Sequence, residues 1–320
     1  MNMNNVIDIL LTTYNGVPYL SEQLDSLLAQ TCRDWRLLVR DDCSSDGTPE
    51  ILENYRSRYP DVIMIIPREG QRLGACGNFS WLLEQSDAPY VMFCDQDDVW
   101  LPDKIEVTLA AMRELERQHG ENMALLVHTD LMVVDERLNR LGDSLWFFQC
   151  IEPRRLTKLN RLLMQNFATG CTIMINRALR DLAVPIPVEA LMYDWWLALV
   201  ATAFGRVAAV ENPTVLYRQH GRNDTGAVRW SILSQLRSVL NRERCRAVIA
   251  LFDKALTSQE IQAAVFGGRY EERLTPAKRE MLRVFCSLRH RNFIMRRYLT
   301  LRYGFFYSNV PRNLGLLLLR

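Results

Sequence analysis

Residues 90–104 read YVMFCDQDDVWLPDK, and the change of character along this stretch decides the fold. Tyr90 to Cys94 is an apolar run of strand formers that stops at Asp95-Gln96-Asp97-Asp98, three carboxylates in four residues. Pro102 then opens a segment with helical spacing that continues to about Gln118. A strand that passes through a polar loop into a helix is the repeating unit of a parallel sheet.

The same unit recurs upstream. Val6 to Thr12 is a short strand-like run ending at the turn signal Tyr14-Asn15-Gly16, followed by leucines at helical spacing from Tyr19 to Ala29. Trp35 to Val39 is the next strand; it ends in Asp41-Asp42-Cys43-Ser44-Ser45-Asp46-Gly47, after which Thr48 reads as an N-cap with Pro49 at the first helical position. Val62 to Ile66 is almost wholly apolar, as a strand covered on both faces would be. A loop with Gly70, Gly74 and Gly77 leads into a helix from Asn78 to Gln85. Beyond a strand at Ala124 to Asp130 the pattern loosens, with strands expected over 165–176 and 207–217 and a short aromatic helix from Tyr193 to Val200. From Trp230 onward the chain reads as helices rich in Leu and Arg. The expected class is α/β, a mainly parallel sheet with flanking helices, followed by a C-terminal helical region.

Ligands of such sheets bind beyond the carboxyl ends of the strands. Asp41-Asp42, the glycine loop and Asp95 to Asp98 all fall on such ends. Three carboxylates so close repel one another, and a divalent cation such as Mg²⁺ or Mn²⁺, which prefers oxygen ligands and shares them with phosphates, would relieve the conflict. The competing reading is an acidic helix entrance, with Asp97 or Asp98 as its cap. Asp42 is suited to accept hydrogen bonds from a base or a ribose, whereas Asp46 before Gly47 reads as turn chemistry. No G-x-G-x-x-G follows the first strand and no G-x-x-x-x-G-K-[ST] occurs anywhere, which argues against a nicotinamide dehydrogenase and a P-loop enzyme.

Composition sets the remaining bounds. The 320 residues are 48% hydrophobic and 24% charged, ordinary for a globular chain of about two domains. No apolar run reaches the ~18 residues of a membrane span, and the polar start does not resemble a signal peptide. The eight cysteines include no C-x-x-C pair, so they read as reduced thiols of a cytoplasmic protein. The net charge of +2 hides an asymmetry: from Arg222 onward 19 Lys and Arg face 7 Asp and Glu, a surplus of +12. A basic tail on an acidic body suits an anionic partner, a membrane or a nucleic acid, or else is a solvated helical face. The basic residues sit on Leu-rich helices rather than on an aromatic strand platform, which disfavours nucleic acid.

Taken together, the strand with its Tyr14-Asn15-Gly16 turn, the segment from Asp41 to Thr48, the run from Cys94 to Ile105, Met192 to Trp196 and Tyr217 to Asn223 resemble the glycosyltransferase family 2 enzymes of GT-A fold. The resemblance covers about Val6 to Ala227. It implies a D-x-D motif at Asp95-Gln96-Asp97, with Asp97 on the metal and Asp95 on the donor ribose or the ion. It also places Thr13, Tyr14, Asp42, Asn78 and Gln96 around the donor. The family's catalytic base sits in a Glu-Asp pair; here Tyr193 replaces the Glu and Asp194 remains, as base or as an ordinary N-terminal helix charge. His220 is either a further metal ligand or structural, and Arg218 and Arg222 are candidates for the diphosphate.

Within the family the pattern looks most like bacterial rhamnosyltransferases of surface polysaccharides. That implies a dTDP-sugar donor, with a UDP-sugar as the alternative, and a lipid-linked glycan acceptor at the inner membrane face. The expected organisation is a nucleotide-sugar half (1–130), an acceptor and base half (131–226) and a basic helical region (227–320). In the last, Arg296, Arg297 and Arg302 alternate with Phe293, Tyr298, Leu299, Phe305 and Phe306. Such a pattern fits a peripheral membrane contact or a packed helical subdomain. The apolar end, Leu314 to Leu319, adds to it.

Overall fold

Nine strands form one sheet: β1 (Ile7–Thr13), β2 (Trp35–Asp41), β3 (Ile63–Ile65), β4 (Tyr90–Asp95), β5 (Val99–Trp100), β6 (Leu125–Val134), β7 (Arg140–Gly142), β8 (Ile173–Asn176) and β9 (Arg206–Arg218). This is a computed structural model, and it describes residues 7–67, 70–153, 157–221, 242–308 and 313. Their order is β3-β2-β1-β4-β8-β6-β9-β5, with β7 beside β6. The pairs β1–β2, β1–β4, β2–β3 and β6–β9 are parallel; β8 runs against both β4 and β6 and joins the two parallel halves. The fold is GT-A, a mixed and mainly parallel sheet with flanking helices.

Central strands are buried on both faces, which is why β1 and β4 are nearly continuous apolar runs. Ile7, Ile9, Leu10, Leu11, Val91, Met92 and Phe93 are all inaccessible, and each such side chain contributes about 1.5–3 kcal/mol by leaving water. Asp8 is the exception within β1. It is wholly buried, and its charge is met by Arg36 Nε at 2.6 Å and by the Ser86 hydroxyl at 2.6 Å.

Helices α1 (Leu20–Leu28), α2 (Thr48–Arg58), α3 (Gly74–Gln85), α4 (Lys104–His119), α5 (Arg177–Ala183) and α6 (Tyr193–Phe204) belong to the same unit as the sheet. Several boundaries differ from the sequence reading. Helix α3 starts at Gly74 rather than Asn78: the Asp42 carboxylate accepts from the N–H groups of Leu73 and Gly74, and Gly74 itself takes a left-handed φ of 68°. Strand β3 is an edge strand, covered on one face only: Ile63 is buried while Met64 is 41% exposed. Over 165–176 only Ile173–Asn176 is strand, preceded by a 3-10 turn at Gly170–Thr172. Thr48 is the first helical residue, not a side-chain cap; its hydroxyl meets Asp46 Oδ1 at 2.5 Å instead.

Gly205 links α6 to β9 where two backbones nearly touch. A Cβ there would fall inside contact distance of the Ala124 carbonyl oxygen, which cannot swing away. Gly205→Ala is therefore expected to destabilise the fold by about 1–3 kcal/mol, seen as a lowered midpoint in urea denaturation. An unchanged midpoint would contradict this packing.

The second compact unit comprises residues 148–167, 187–191 and 228–320. Its longer described helices are α7 (Arg242–Arg269), α8 (Pro276–Ser287) and α9 (Phe293–Tyr303). Phe266, Phe285 and Phe305 are its buried centre, with Phe285 and Phe305 edge to face at 5.1 Å. The segment 148–167 is tied into it: Asn160 Nδ2 donates to the carbonyls of Tyr303 and Gly304, and Gln259 Nε2 to that of Met164. Arg222, the region around 226–241 and Leu314 to Leu319 lie outside the described residues. No helix among the described residues is long and apolar enough to cross a membrane.

Candidate active site

The parallel strands β1, β2, β3 and β4 end on the same edge of the sheet, and polar side chains lace the loops that follow them into one rim. After β1, Asn15 takes a left-handed φ of 48°; its N–H donates to Ser44 Oγ at 2.8 Å and its Oδ1 accepts from Ser45 N at 2.9 Å. Gly16 N donates to the Thr48 hydroxyl at 2.8 Å. Thr13 Oγ1 donates to Asp41 at 2.8 Å, and Asp41 also accepts from Ser44 N. The turns after β1 and β2 are thus one structure, and this is what the polar run after Val39 encodes.

The other side of the β1 turn is held by Gln96. Its Oε1 accepts from Tyr14 N at 2.9 Å and its Nε2 donates to Tyr14 O at 2.9 Å, so the side-chain amide pairs with a backbone as another strand would. Gly16 allows this approach, since a Cβ there would overlap the Gln96 amide. Expected from sequence near the donor, Gln96 has its amide committed to the turn.

Asp42 is also engaged. It is buried and accepts from Leu73 N at 2.8 Å, Gly74 N at 2.9 Å and Arg40 Nη1 at 2.9 Å, with Asn78 as a further donor. Burial works against its charge, but the Leu73 N–H, the Asn78 side chain, the Gly74 N–H and Arg40 outweigh it and hold the carboxyl below the usual range. Asp42 therefore organises the glycine loop and the first turn of α3. Beside it Arg72 lies 3.8 Å from the carboxylate and 3.4 Å over the Tyr14 ring, a flat cationic and aromatic pair that the sequence reading did not single out.

The acid loop owes its position to β5. Val99 pairs with Leu216 and Trp100 with Val215 in an antiparallel register, which lays residues 218–220 beside Asp97 and Asp98. Asp97 Oδ2 meets His220 Nε2 at 2.8 Å, and the His220 ring stacks on Tyr19 at 4.8 Å. Arg218 corrects the diphosphate expectation: its guanidinium is spent within the protein, donating to Asp97 O at 2.8 Å, to Glu136 O at 2.6 Å and to Glu22. Its backbone N–H donates to Asp98 Oδ1 at 3.1 Å. Asp98 is no helix cap, for α4 begins only at Lys104.

Beneath this loop lies a buried cluster. Asp98 is inaccessible, and burial together with the charges of Asp97 and Asp95 pushes its carboxyl well above the usual range. Burial lowers the Lys104 ammonium to about 8, a shift that Cys171, Cys94 and Asp98 oppose. Asp95, Asp98 and Cys171 offer atoms within 4.8 Å of one another. Burial, Asp98 and Asp95 raise the Cys171 thiol well above its usual value.

These residues fit a hard divalent cation. Asp98 Oδ2 is buried without a hydrogen-bond partner. The clustered carboxylates repel one another, and Asp97 already meets an imidazole nitrogen. The oxygen-rich donor set with one imidazole suits Mg²⁺ or Mn²⁺ rather than a thiophilic metal.

Asp194 sits in the first turn of α6. Its neighbour Tyr193 is buried against Phe79 at 4.3 Å and Phe93 at 4.8 Å, two residues before Asp95, which sets the start of α6 against the end of β4. The Tyr193 hydroxyl packs where Gly170 leaves room. Burial pushes the Asp194 carboxyl up to about 7, partly offset by the N–H groups of Trp195, Gly170 and Asp194 itself. A carboxylate that titrates near neutrality is matched to general-base work.

Comparison with known proteins gives the family and the fold. The model of the family described as Glycosyl transferase family 2 matches residues 8–180. The dTDP-rhamnosyl transferase RfbG of Shigella flexneri is 28% identical over 225 residues, 68% of this chain and 74% of that protein. Among solved structures, S. aureus TarS 1-349 in complex with UDP superposes with a TM-score of 0.53 at 16% identity, over 89% of this chain and 91% of that one. The mannosyltransferase PcManGT from Pyrobaculum calidifontis, in complex with GDP-Man and Mn²⁺, gives 0.53 at 15% identity over 97% and 78%.

Proposed function

Because this chain belongs to glycosyl transferase family 2, we propose that it is a metal-dependent, inverting hexosyltransferase whose donor is a nucleoside-diphosphate sugar. One observation carries the reading: Tyr193, next to Asp194, packs at 4.8 Å on Phe93 of β4, which sets the Asp194 carboxyl, raised to about 7, at the strand that ends in the acid loop where Asp97 meets His220. Asp97 and His220, with Asp95 beside them, would hold Mg²⁺ or Mn²⁺; the ion when bound would neutralise the leaving diphosphate. Tyr14 and Arg72 offer a stacking surface for the base, and Asp42 with Asn78 fixes the glycine loop around it. Thr13 and Gln96, both at the donor in this reading, also brace the rim, Thr13 Oγ1 on Asp41 and the Gln96 amide on Tyr14. Asp194 accepts the proton of the attacking acceptor hydroxyl at its carboxylate oxygen.

The preferred donor is dTDP-L-rhamnose and the acceptor a hydroxyl of a growing, lipid-linked bacterial surface glycan. Support comes from the RfbG relative and, for polysaccharide assembly, from TuaG of Bacillus subtilis, named for teichuronic acid biosynthesis and 31% identical over 113 residues, 35% of this chain and 44% of that protein. A UDP-sugar is the second reading, favoured by the likeness to TarS with UDP. Residues 1–130 and 131–226 would then divide donor and acceptor binding, with the helical region after 227 as a separate element. Nucleoside-diphosphate release measured from dTDP-rhamnose, UDP-galactose and UDP-N-acetylglucosamine separates the two readings. Release from the dTDP-sugar alone supports the first; release from a UDP-sugar alone replaces it with the second.

A further inference from the structure

Helix α9 is turned inside out for a helix of a water-soluble surface. Thr300, a polar residue, is buried, while Phe293 (53%), Ile294 (79%), Met295 (43%), Tyr298 (50%) and Leu301 (59%) are exposed. Ordinary surfaces scatter such residues singly; five within nine positions form a patch, and a patch of this kind marks an interaction site. The helical repeat sharpens it. Ile294, Tyr298 and Leu301 follow at i, i+4 and i+7, so they form one ridge along the helix, with Arg297 on one side and Arg302 on the other. Arg297 lies 3.1 Å over the Phe293 ring, and Arg302 Nη1 donates to the Tyr298 hydroxyl at 2.7 Å, so the aromatic rings carry their cations with them.

Charge identifies the partner. Residues 281–320 contain eight arginines and not one Asp or Glu. Arg283 and Arg289 are paired with Glu280 and Glu260, but residues 291–308, α9 and its flanks, hold four arginines and no acid, so a second copy of this segment would repel it. A sheet of anionic phosphates above hydrocarbon matches it, because it accepts guanidinium groups at the rim and apolar side chains at the ridge. The helix has 11 residues, too short to span a bilayer but long enough to lie in its interface over about 16 Å.

We infer that the exposed ridge of α9, Ile294-Tyr298-Leu301 rimmed by Arg297 and Arg302, is a docking surface for an anionic lipid bilayer. The transferase site plays no part in this inference, which stands on the second unit alone. It would bring the enzyme to wherever a lipid-linked acceptor is displayed.

The test is co-sedimentation of the full chain with vesicles of phosphatidylcholine alone or of phosphatidylcholine mixed with phosphatidylglycerol. Two variants accompany it, Ile294→Glu/Leu301→Glu and Arg297→Gln/Arg302→Gln. Ile294, Leu301 and Arg302 are exposed and Arg297 is half-buried, so circular dichroism is recorded for both variants to show that the fold is kept. Expected is binding to the anionic vesicles only, weakened by salt and reduced about tenfold or more in each variant. Equal binding by wild type and Ile294→Glu/Leu301→Glu would overturn the assignment. So would no binding by the wild type, or a concentration-dependent dimer that the same variant abolishes without any vesicle binding. Failure here leaves nucleotide binding untouched, so it is distinguishable from failure of the transferase reading.

Discussion

Asp97→Asn is expected to abolish metal-dependent binding of the nucleoside diphosphate while leaving the fold intact. The substitution keeps shape and removes one negative charge from a cluster whose residues otherwise repel each other. Its carboxylate Oδ2 is the atom that meets His220 at 2.8 Å, so the Asn variant loses the anionic oxygen and its charge-assisted contact together. Removing a supporting partner of a metal ligand costs roughly 10–100-fold in affinity, and loss of a ligand itself should exceed that. The measurement is the affinity for the nucleotide at saturating Mn²⁺, with thermal stability recorded alongside. Normal affinity at normal stability would remove Asp97 from the metal site. A protein that no longer folds would be uninformative by itself, which is why His220→Gln, acting on the other side of the same contact, should be measured in parallel.

The second large effect is at Asp194. Asp194→Asn should retain nucleotide affinity and lose transfer by about 10²–10⁴-fold, the usual worth of a positioned general base. The pH dependence follows from the same burial. A base must be ionised to act, and the Asp194 carboxyl is pushed up to about 7. Transfer should therefore fall about tenfold for each pH step below 7 and level off above it. Stability has the opposite sign. Because the folded pKa is raised, the stability this group supplies is complete below its unfolded value of about 3.9 and is lost as pH rises through 7. Asp194→Asn should consequently be no less stable than wild type at pH 8, so a loss of rate there is not a loss of fold. A flat profile from pH 6 to 8 would exclude Asp194 as the base.

Much of this architecture was legible because each strand of the first half announces its own end. Tyr90 to Cys94 followed by three acids, and Trp35 to Val39 followed by turn formers, give both the sheet and the side on which ligands gather. What escaped was what depends on pairing. The two-residue strand β5 has no periodicity to read, yet its register with β9 is what carries His220 to Asp97 and Arg218 beneath the acid loop. The roles of Gln96 and Asp42 were hidden for a related reason. A polar side chain at a strand end has the same appearance in sequence whether or not it also braces a neighbouring loop, as both do here.

Lys104 illustrates the limit from another side. A lysine at the first position of a helix reads as a surface residue, but this one is inaccessible, 4.6 Å over the Trp100 ring and close to Asp98. Trp100 is buried with it, and the ammonium donates to the Thr214 hydroxyl at 3.4 Å. In the second unit the failure is of a different kind. The alternation of Arg with aromatic residues allowed both a packed and an exposed face, and both occur: Phe305 is buried, whereas Ile294 and Leu301 are not.

Calorimetric titration of dTDP and UDP into the wild-type chain, with Mn²⁺ and then with a chelator, tests most directly whether the acid loop is a metal-assisted nucleotide site. Saturable binding of at least one nucleotide that disappears on chelation is the predicted result. Folded protein that binds neither nucleotide with Mn²⁺ present, or binds equally well without it, would contradict it.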